Sequence, residues 1–313
     1  MARGYTARMA RRGGWRRLGS KERFRYLDAR GKQITDPDKL ERIEELAIPP
    51  AWRDVWISPR PRSKLQATGI DRAGRRQYLY HPEFRAQQER EKFDKLVRFA
   101  ELLPGLRKAM SKHMDEEPLS LEWTCALAVR LINLGWFRVG TERYARTTRT
   151  FGITTLRKSH VKVRGSRISF RYRGKNRAWV RTAIVDDELA EAMKELLVAR
   201  GGRGLFRYRF EGSLRTLTGA RLNDYIAEHM GEEFTAKDFR TWGGTLLAAI
   251  ALAEHGPAES ETEAKKVVSG VMRAVGEKLG NTPAVARSSY VSPAVVEQYL
   301  DGRTIDDFRP RHL

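Results

Sequence analysis

Gly280-Asn-Thr-Pro-Ala-Val-Ala-Arg-Ser-Ser-Tyr290 decides how the C-terminal third of the chain is read, and with it the fold. Just upstream, Ala264, Val267, Val268, Val271, Met272, Val275 and Leu279 recur at helical spacing, and Gly280 ends the run. Asn281-Thr282-Pro283 then reads as an N-cap with proline in the first turn. The stretch between Pro283 and Pro293 is therefore a short helix that carries Tyr290. On these residues alone, a packed tyrosine and a positioned phenol both stand open.

Working outward, helices dominate from about residue 83. Phe84, Phe93, Leu96, Val97, Ala100 and Leu103 keep helical spacing over 83–103. Leu121–Leu134 is an apolar helix, and Glu188–Ala199 and Leu222–Glu228 are amphipathic. Thr235–Glu254 opens on a capping-box-like Thr-x-x-Asp and stops at Gly256-Pro257. One β island interrupts them. Val161 and Val163 alternate, Gly165-Ser166 turns, Ile168, Phe170 and Tyr172 alternate, and Gly174-Lys175-Asn176 turns into Ala178-Trp-Val180. That pattern is a three-stranded meander with Lys175 at a hairpin tip. Before His81-Pro82 the signals are strands and turns, with one helix over Asp38–Ala47. Residues 1–20 are rich in Arg and Gly and hold no acid, so they read as a flexible basic arm or as a segment that orders on DNA.

The chain has 313 residues, with 60 Lys+Arg against 39 Asp+Glu and a net charge of +21. Hydrophobic residues, at 41%, suffice for a core. A basic excess spread along the whole chain implies a polyanion, with nucleic acid as the default. Basic and aromatic residues interleave in Gly74-Arg-Arg-Gln-Tyr-Leu-Tyr-His81 and Arg207-Tyr-Arg-Phe210. No apolar run reaches membrane-spanning length, and no secretory h-region follows Met1. The lone Cys125 forms no intrachain disulfide, which fits a reducing cytoplasm. There is no Gly-x4-Gly-Lys-Ser/Thr, His-Glu-x-x-His or Cys-x-x-Cys, and acidic pairs of the kind that hold Mg²⁺ do not cluster. Phosphate chemistry without metal would need cations, a side-chain nucleophile and a proton donor.

Five stretches supply such a set in order: Gly74-Arg-Arg-Gln-Tyr-x-Tyr80, Phe137-Arg-Val-Gly140 with Tyr144, Gly174-Lys175, Lys237-Asp-Phe-Arg-Thr-Trp-Gly243 and Gly280–Tyr290. Together they resemble the type IB DNA topoisomerases, specifically the compact bacterial and poxvirus-type branch, from about residue 20 to the C-terminus. Phe151-Gly-Ile-Thr-Thr-Leu-Arg-Lys-Ser-His160 is similar to the family as well. The resemblance implies Tyr290 as nucleophile, forming a 3′-phosphotyrosyl bond and releasing a 5′-hydroxyl. It implies Arg138 and Arg240 as phosphate-binding catalytic arginines, and Lys175 as general acid for the 5′-oxygen. Asn281 stands where many family members carry histidine, which places it among the catalytic residues with its amide donating to a nonbridging oxygen, and Ser292, with no role assigned, stands where bacterial relatives often have histidine. Gln77, Tyr78 and Tyr80 match residues that approach the major groove, with Arg75 and Arg76 near phosphates, and Gly140 and Tyr144 complete the DNA-binding set. Each has an ordinary reading too: a snorkelling arginine at Arg138, an exposed hairpin lysine at Lys175, an N-cap at Asn281, and an amphipathic strand with core-facing aromatics at Tyr78 and Tyr80.

The implied fold is α+β, of the tyrosine recombinase/type IB topoisomerase catalytic kind. A small β-rich DNA-binding cap at 1–88 and a mainly helical catalytic domain at 89–313 with a three-stranded sheet would form a C-shaped clamp. The expected enzyme is a monomer that relaxes supercoiled double-stranded DNA by nicking, strand rotation and religation, with no ATP, metal or other cofactor, in the cytoplasm at the nucleoid. A tyrosine recombinase shares the Arg, Lys, Arg and Tyr set, yet usually has His-x-x-Arg where this chain has Lys237-x-x-Arg240. A non-enzymatic basic DNA binder would account for the charge alone.

Overall fold

The computed structural model describes residues 13–20 and 23–305. They divide into two compact units that meet in sequence between Lys92 and Phe93. The sequence places the break at 88. Both positions lie inside one continuous helix, α2 below.

The first unit is a five-stranded antiparallel sheet with one helix on it. In chain order its strands are β1 (Trp15–Ser20), β2 (Arg23–Leu27), β3 (Arg53–Ile57), β4 (Leu65–Ile70) and β5 (Arg76–Tyr80), and α1 covers Pro37–Glu45. The spatial order is β2-β1-β3-β4-β5, which leaves β5 on an edge. Asp36 caps α1 by accepting from the Lys39 backbone N–H, and Pro37 follows in the first turn. Ile43 then packs with Trp15, Val55, Ile57 and Ala67 in the core.

The basic arm expected over 1–20 needs correcting. Residues 1–12 lie outside the described residues, but Trp15–Ser20 is a strand between β2 and β3. Trp15 and Arg17 alternate inward. The buried Arg17 guanidinium donates to the carbonyls of Ile48 (3.2 Å), Pro49 (3.1 Å) and Trp52 (2.7 Å) and lies over the Phe24 ring. An arginine with three carbonyl partners serves as an inward residue, and a composition-based reading misses this.

The second unit is mainly helical. Its helices are α2 (Pro82–Met114, its first turns in the first unit), α3 (Leu121–Gly135), α4 (Glu142–Thr147), α5 (Asp187–Val198), α6 (Gly219–Met230), α7 (Asp238–His255), α8 (Glu261–Leu279), α9 (Pro283–Ser289) and α10 (Pro293–Leu300). The apolar α3 is the hub of the larger core, with Cys125, Leu127, Val129, Leu131 and Ile132 all buried. A second core gathers α7, α8, α9 and α10, together with Trp136. The meander appears as β6 (Val161–Arg164), β7 (Arg167–Arg173) and β8 (Trp179–Val185), antiparallel and in that spatial order. Ile168, Phe170 and Tyr172 of β7 face the core.

Two elements depart from the sequence reading. The helix expected to stop near Leu103 runs through Pro104 to Met114. Leu106, Met110 and Met114 extend the buried stripe of Leu96, Phe99 and Leu103, and that packing overrides the proline. Arg207–Phe210 is strand β9, paired antiparallel with β10 (Ser213–Thr216), with Arg209 and Phe210 exposed. Arg207 and Tyr208 are buried, and the Arg207 guanidinium donates to the carbonyls of Ala199 and Arg200.

Candidate active site

Four helix ends and one hairpin position the site. α3 ends on Trp136, whose left-handed conformation (φ 50°, ψ 37°) turns the chain sharply into Phe137-Arg138. Gly140 (φ 89°) and Gly152 then let two backbone segments touch. A Cβ on Gly152 would fall 2.4 Å from the Arg138 carbonyl and 2.5 Å from the Gly140 nitrogen. Ile153 N–H donates to that same Arg138 carbonyl at 2.7 Å. Gly140, expected among the DNA-binding residues, thus braces the loop that carries Arg138.

Arg240 lies in the first turn of α7 and is buried. Thr235 and Asp238 meet as the capping pattern implies, with the Thr235 N–H and hydroxyl both donating to the Asp238 carboxylate, although regular helix begins only at Asp238. The Arg240 guanidinium donates to the carbonyls of Trp136 and Leu279, the closing residues of α3 and α8. Carbonyls at helix C-termini are natural partners for a cation that the N-terminus of its own helix disfavours.

Gly280 closes α8 in the left-handed conformation. The N-cap of α9 is Thr282, whose side chain accepts from the Val285 N–H, and not Asn281 as the sequence reads. Asn281 is thereby released for another role. Its Oδ1 accepts from Arg138 Nη2 at 2.8 Å, and its Nδ2 donates to Leu279 O at 3.2 Å. Arg138 Nη2 also donates to Gly280 O at 2.9 Å. Asn281 holds the arginine by its oxygen.

Tyr290 caps the C-terminus of α9, half-buried, with its ring centre 5.0 Å from the Arg240 guanidinium carbon. Burial pushes its phenol up, but the charges of Arg240, Arg138 and Lys175 outweigh that and bring it below the usual tyrosine value. Tyr172 is the informative contrast. It senses the same two arginines, yet burial prevails and lifts it to about 12. Burial also holds the Arg138 guanidinium below its usual range, with the neighbouring Arg240 charge adding to the effect. Lys175 sits exposed in the single 3₁₀ turn between β7 and β8, near enough for its charge to act on Tyr290. Arg138, Arg240, Asn281, Tyr290 and Lys175, scattered over about half the chain, therefore converge.

Sequence reading did not single out the residues that lock Tyr290 in place. A Cβ on Gly244 would lie 2.7 Å from the Tyr290 carbonyl oxygen and 2.8 Å from its Cβ, and one on Gly243 would lie 2.1 Å from Trp136 Nε1. Thr245 Oγ1 donates to Tyr290 O and accepts from Ser292 N–H. The signal was a Gly-Gly pair inside an otherwise helical pattern.

The expected DNA-binding residues of the first unit lie on β5 and the turn before it. Asp71 organises that turn, accepting from the backbone N–H groups of Ala73 and Arg75, from Arg75 Nε and from Gln77 Nε2. Arg76 sits 3.8 Å from the Asp54 carboxylate. Tyr78 and Tyr80 are exposed and stacked (6.2 Å, 14°), so the aromatics do not face the core. Tyr144 is exposed on α4. Among the described residues no group of three His, Cys, Asp or Glu is arranged to hold a metal, and no helix is long and apolar enough to cross a membrane.

With the geometry in place, comparison with known proteins is direct. Residues 81–305 match the family model of the eukaryotic DNA topoisomerase I catalytic core, and residues 23–71 match that of the bacterial DNA topoisomerase IB N-terminal domain. The DNA topoisomerase 1B of Acanthamoeba polyphaga mimivirus is 34% identical over 90% of this chain and 85% of its own. That of vaccinia virus (strain Copenhagen) is 21% identical over 87% and 85%. The XerH site-specific recombinase bound to difH substrate aligns with a TM-score of 0.40 and 15% identity over 63% of this chain and 51% of that one, a distant likeness. The chain belongs to the type IB DNA topoisomerase family.

Proposed function

We propose that Tyr290 attacks a backbone phosphodiester of duplex DNA and that Lys175 protonates the leaving 5′-oxygen. The phenol gives its proton to solvent, and its oxygen bonds to phosphorus as the bond from phosphorus to the 5′-oxygen breaks. The 3′ phosphate stays on Tyr290, and the 5′ end leaves as a free hydroxyl. Strand rotation then relaxes supercoils, and reversal of the chemistry religates the strand. Arg138 and Arg240 stabilise the charge on the pentacoordinate phosphate, each with a planar, permanently protonated group. Asn281 positions Arg138. The phosphotyrosyl bond preserves the energy of the broken linkage, so the chemistry needs no ATP.

The observation that carries this reading is the meeting of Tyr290 with the two arginines, its ring centre 5.0 Å from the Arg240 guanidinium and Arg138 held beside it by Asn281 and Gly280. The lowered Tyr290 phenol, against the raised Tyr172, agrees with it. The two units act as a monomeric clamp on the duplex, with Arg75, Arg76, Gln77, Tyr78 and Tyr80 toward the groove, in the cytoplasm at the nucleoid. The test is relaxation of supercoiled plasmid in EDTA without ATP, with a rate first order in protein. Intact binding with unchanged supercoiling is the signature of a basic architectural protein, and second-order dependence that of a recombinase.

A further inference from the structure

The solvent face of the β6–β8 sheet is rich in cations, which share it with Ser169, Trp179, Ala183 and Val185. Lys162 and Arg164 of β6, Arg167, Arg171 and Arg173 of β7, and Arg181 of β8 are all exposed, on the side opposite Phe170 and Tyr172. The ladder places Arg164 directly across from Arg167, and Arg171 across from Arg181. Like charges directly opposite destabilise a sheet. Among the described residues none of these six forms an ion pair, although the chain holds 39 acids. An arrangement that costs stability and has no internal counter-charge calls for an anion from outside.

At the end of the sheet nearest Lys175 the face is also pre-shaped. Trp179, itself 46% exposed, lies across from Arg173 and under two guanidinium groups, Arg173 at 4.0 Å and Arg171 at 4.9 Å from the ring centre. Stacking on an indole fixes an arginine's plane while leaving its N–H edge free for phosphate oxygens. Along β7 the same-face positions repeat about every 6.6 Å. A strand laid along a duplex would therefore meet about every second phosphate of one DNA strand, whose charges fall every ~3.4 Å along the axis.

Building on the topoisomerase reading, we infer that this face binds the sugar-phosphate backbone of the same duplex, on the flank of the cleaved position. The occupant follows from continuity. β7 and β8 run directly into the turn that bears Lys175, so a duplex whose scissile phosphate lies at Lys175 passes the Arg171–Trp179–Arg173 stack next. Arg181, level with Arg171 on the neighbouring strand, and then the farther row of Arg167 with Arg164 extend the bound surface.

The test compares the salt dependence of binding to a duplex confined to the cleaved segment with that to one extended on both sides. Replacing Arg164, Arg167 and Arg181 by Gln should make the log–log salt slope for the extended duplex shallower by about 2 to 3, at about 0.9 for each phosphate no longer neutralised. The short duplex should keep the wild-type slope. Replacing the same three by Lys keeps the charge and should keep both slopes, which separates charge from packing. An unchanged slope for the extended duplex overturns the proposal. So does an equal change with the short duplex, or a change seen only when a second, unlinked duplex is present. Failure of the wild-type protein to form a covalent DNA adduct would instead remove the topoisomerase reading, leaving the slope comparison intact.

Discussion

Two tyrosines beside one pair of arginines give different outcomes, and a few ångströms of protein decide which. The Tyr172 phenol, fully packed on β7, is lifted to about 12, whereas Tyr290, half-buried with Lys175 also near, is lowered. Titration of phenolate absorbance in the wild-type protein and in Tyr290→Phe should therefore differ by one phenol ionising below the ordinary value of about 10. A missing transition at or above that value contradicts the assignment. Arg240→Lys keeps a charge but not the fork that reaches both Trp136 O and Leu279 O. Cleavage should fall by about 10²–10³, the usual loss on removing one transition-state donor. Single-turnover cleavage rates with saturating DNA measure this, and a loss confined to binding would count against a role in the reaction.

Helices and strands carry these side chains, and two elements bear predictions. Gly244→Ala adds helix propensity of about 1 kcal/mol but drives a methyl into Tyr290, and overpacking typically costs about 1–3 kcal/mol. The two effects largely offset in stability, so thermal unfolding should move little while single-turnover cleavage falls at least about tenfold, as a misplaced nucleophile requires. In the turn before β5, the Arg75 backbone N–H, helped by the Arg75 and Gln77 side chains, holds the Asp71 carboxyl at about 2 against an ordinary 3.8. A lowered carboxyl stabilises the fold above its unfolded value and loses that contribution as pH falls through the folded one. Asp71→Asn should thus flatten the acid dependence of unfolding between those two values, and an unaltered acid limb would show that the turn adds nothing. The same elements show what could be read without coordinates. α8, its Gly280 stop and the β6–β8 meander follow from periodicity and turn chemistry, which are local. The hairpin β9–β10 and the strand β1 escaped because one arginine of each, Arg207 and Arg17, points inward onto carbonyls, those of Ile48, Pro49 and Trp52 lying far along the chain from Arg17. The passage of α2 through Pro104 escaped because tertiary packing, not propensity, carries it. Tyr290, Arg138 and Arg240 were legible as a motif. Thr245 and Asn281 Oδ1 as holders of Tyr290 and Arg138 were not, since those hydrogen bonds span 45 and 143 residues.

At the scale of the whole molecule, a charge of +21 is distributed with purpose. Some cations are internal ties, as Arg17 and Arg207 are, with their guanidinium groups committed to backbone carbonyls. Others converge at Tyr290 or lie on the outer face of the β6–β8 sheet, where they form no ion pair among the described residues. DNA binding should weaken steeply with salt because each neutralised phosphate releases counter-ions. On the proposed reading, rotation of a nicked strand depends on how firmly the flank is held, and chemistry on the Tyr290 phenol. The most direct measurement is capture of the covalent intermediate. The protein is mixed with duplex DNA, quenched with denaturant and digested, and the DNA-linked peptide is identified. A 3′-phosphate joined to Tyr290, with a free 5′-hydroxyl on the other strand end and no adduct in Tyr290→Phe, is the predicted result. An adduct on any other residue, or one that persists in Tyr290→Phe, contradicts it.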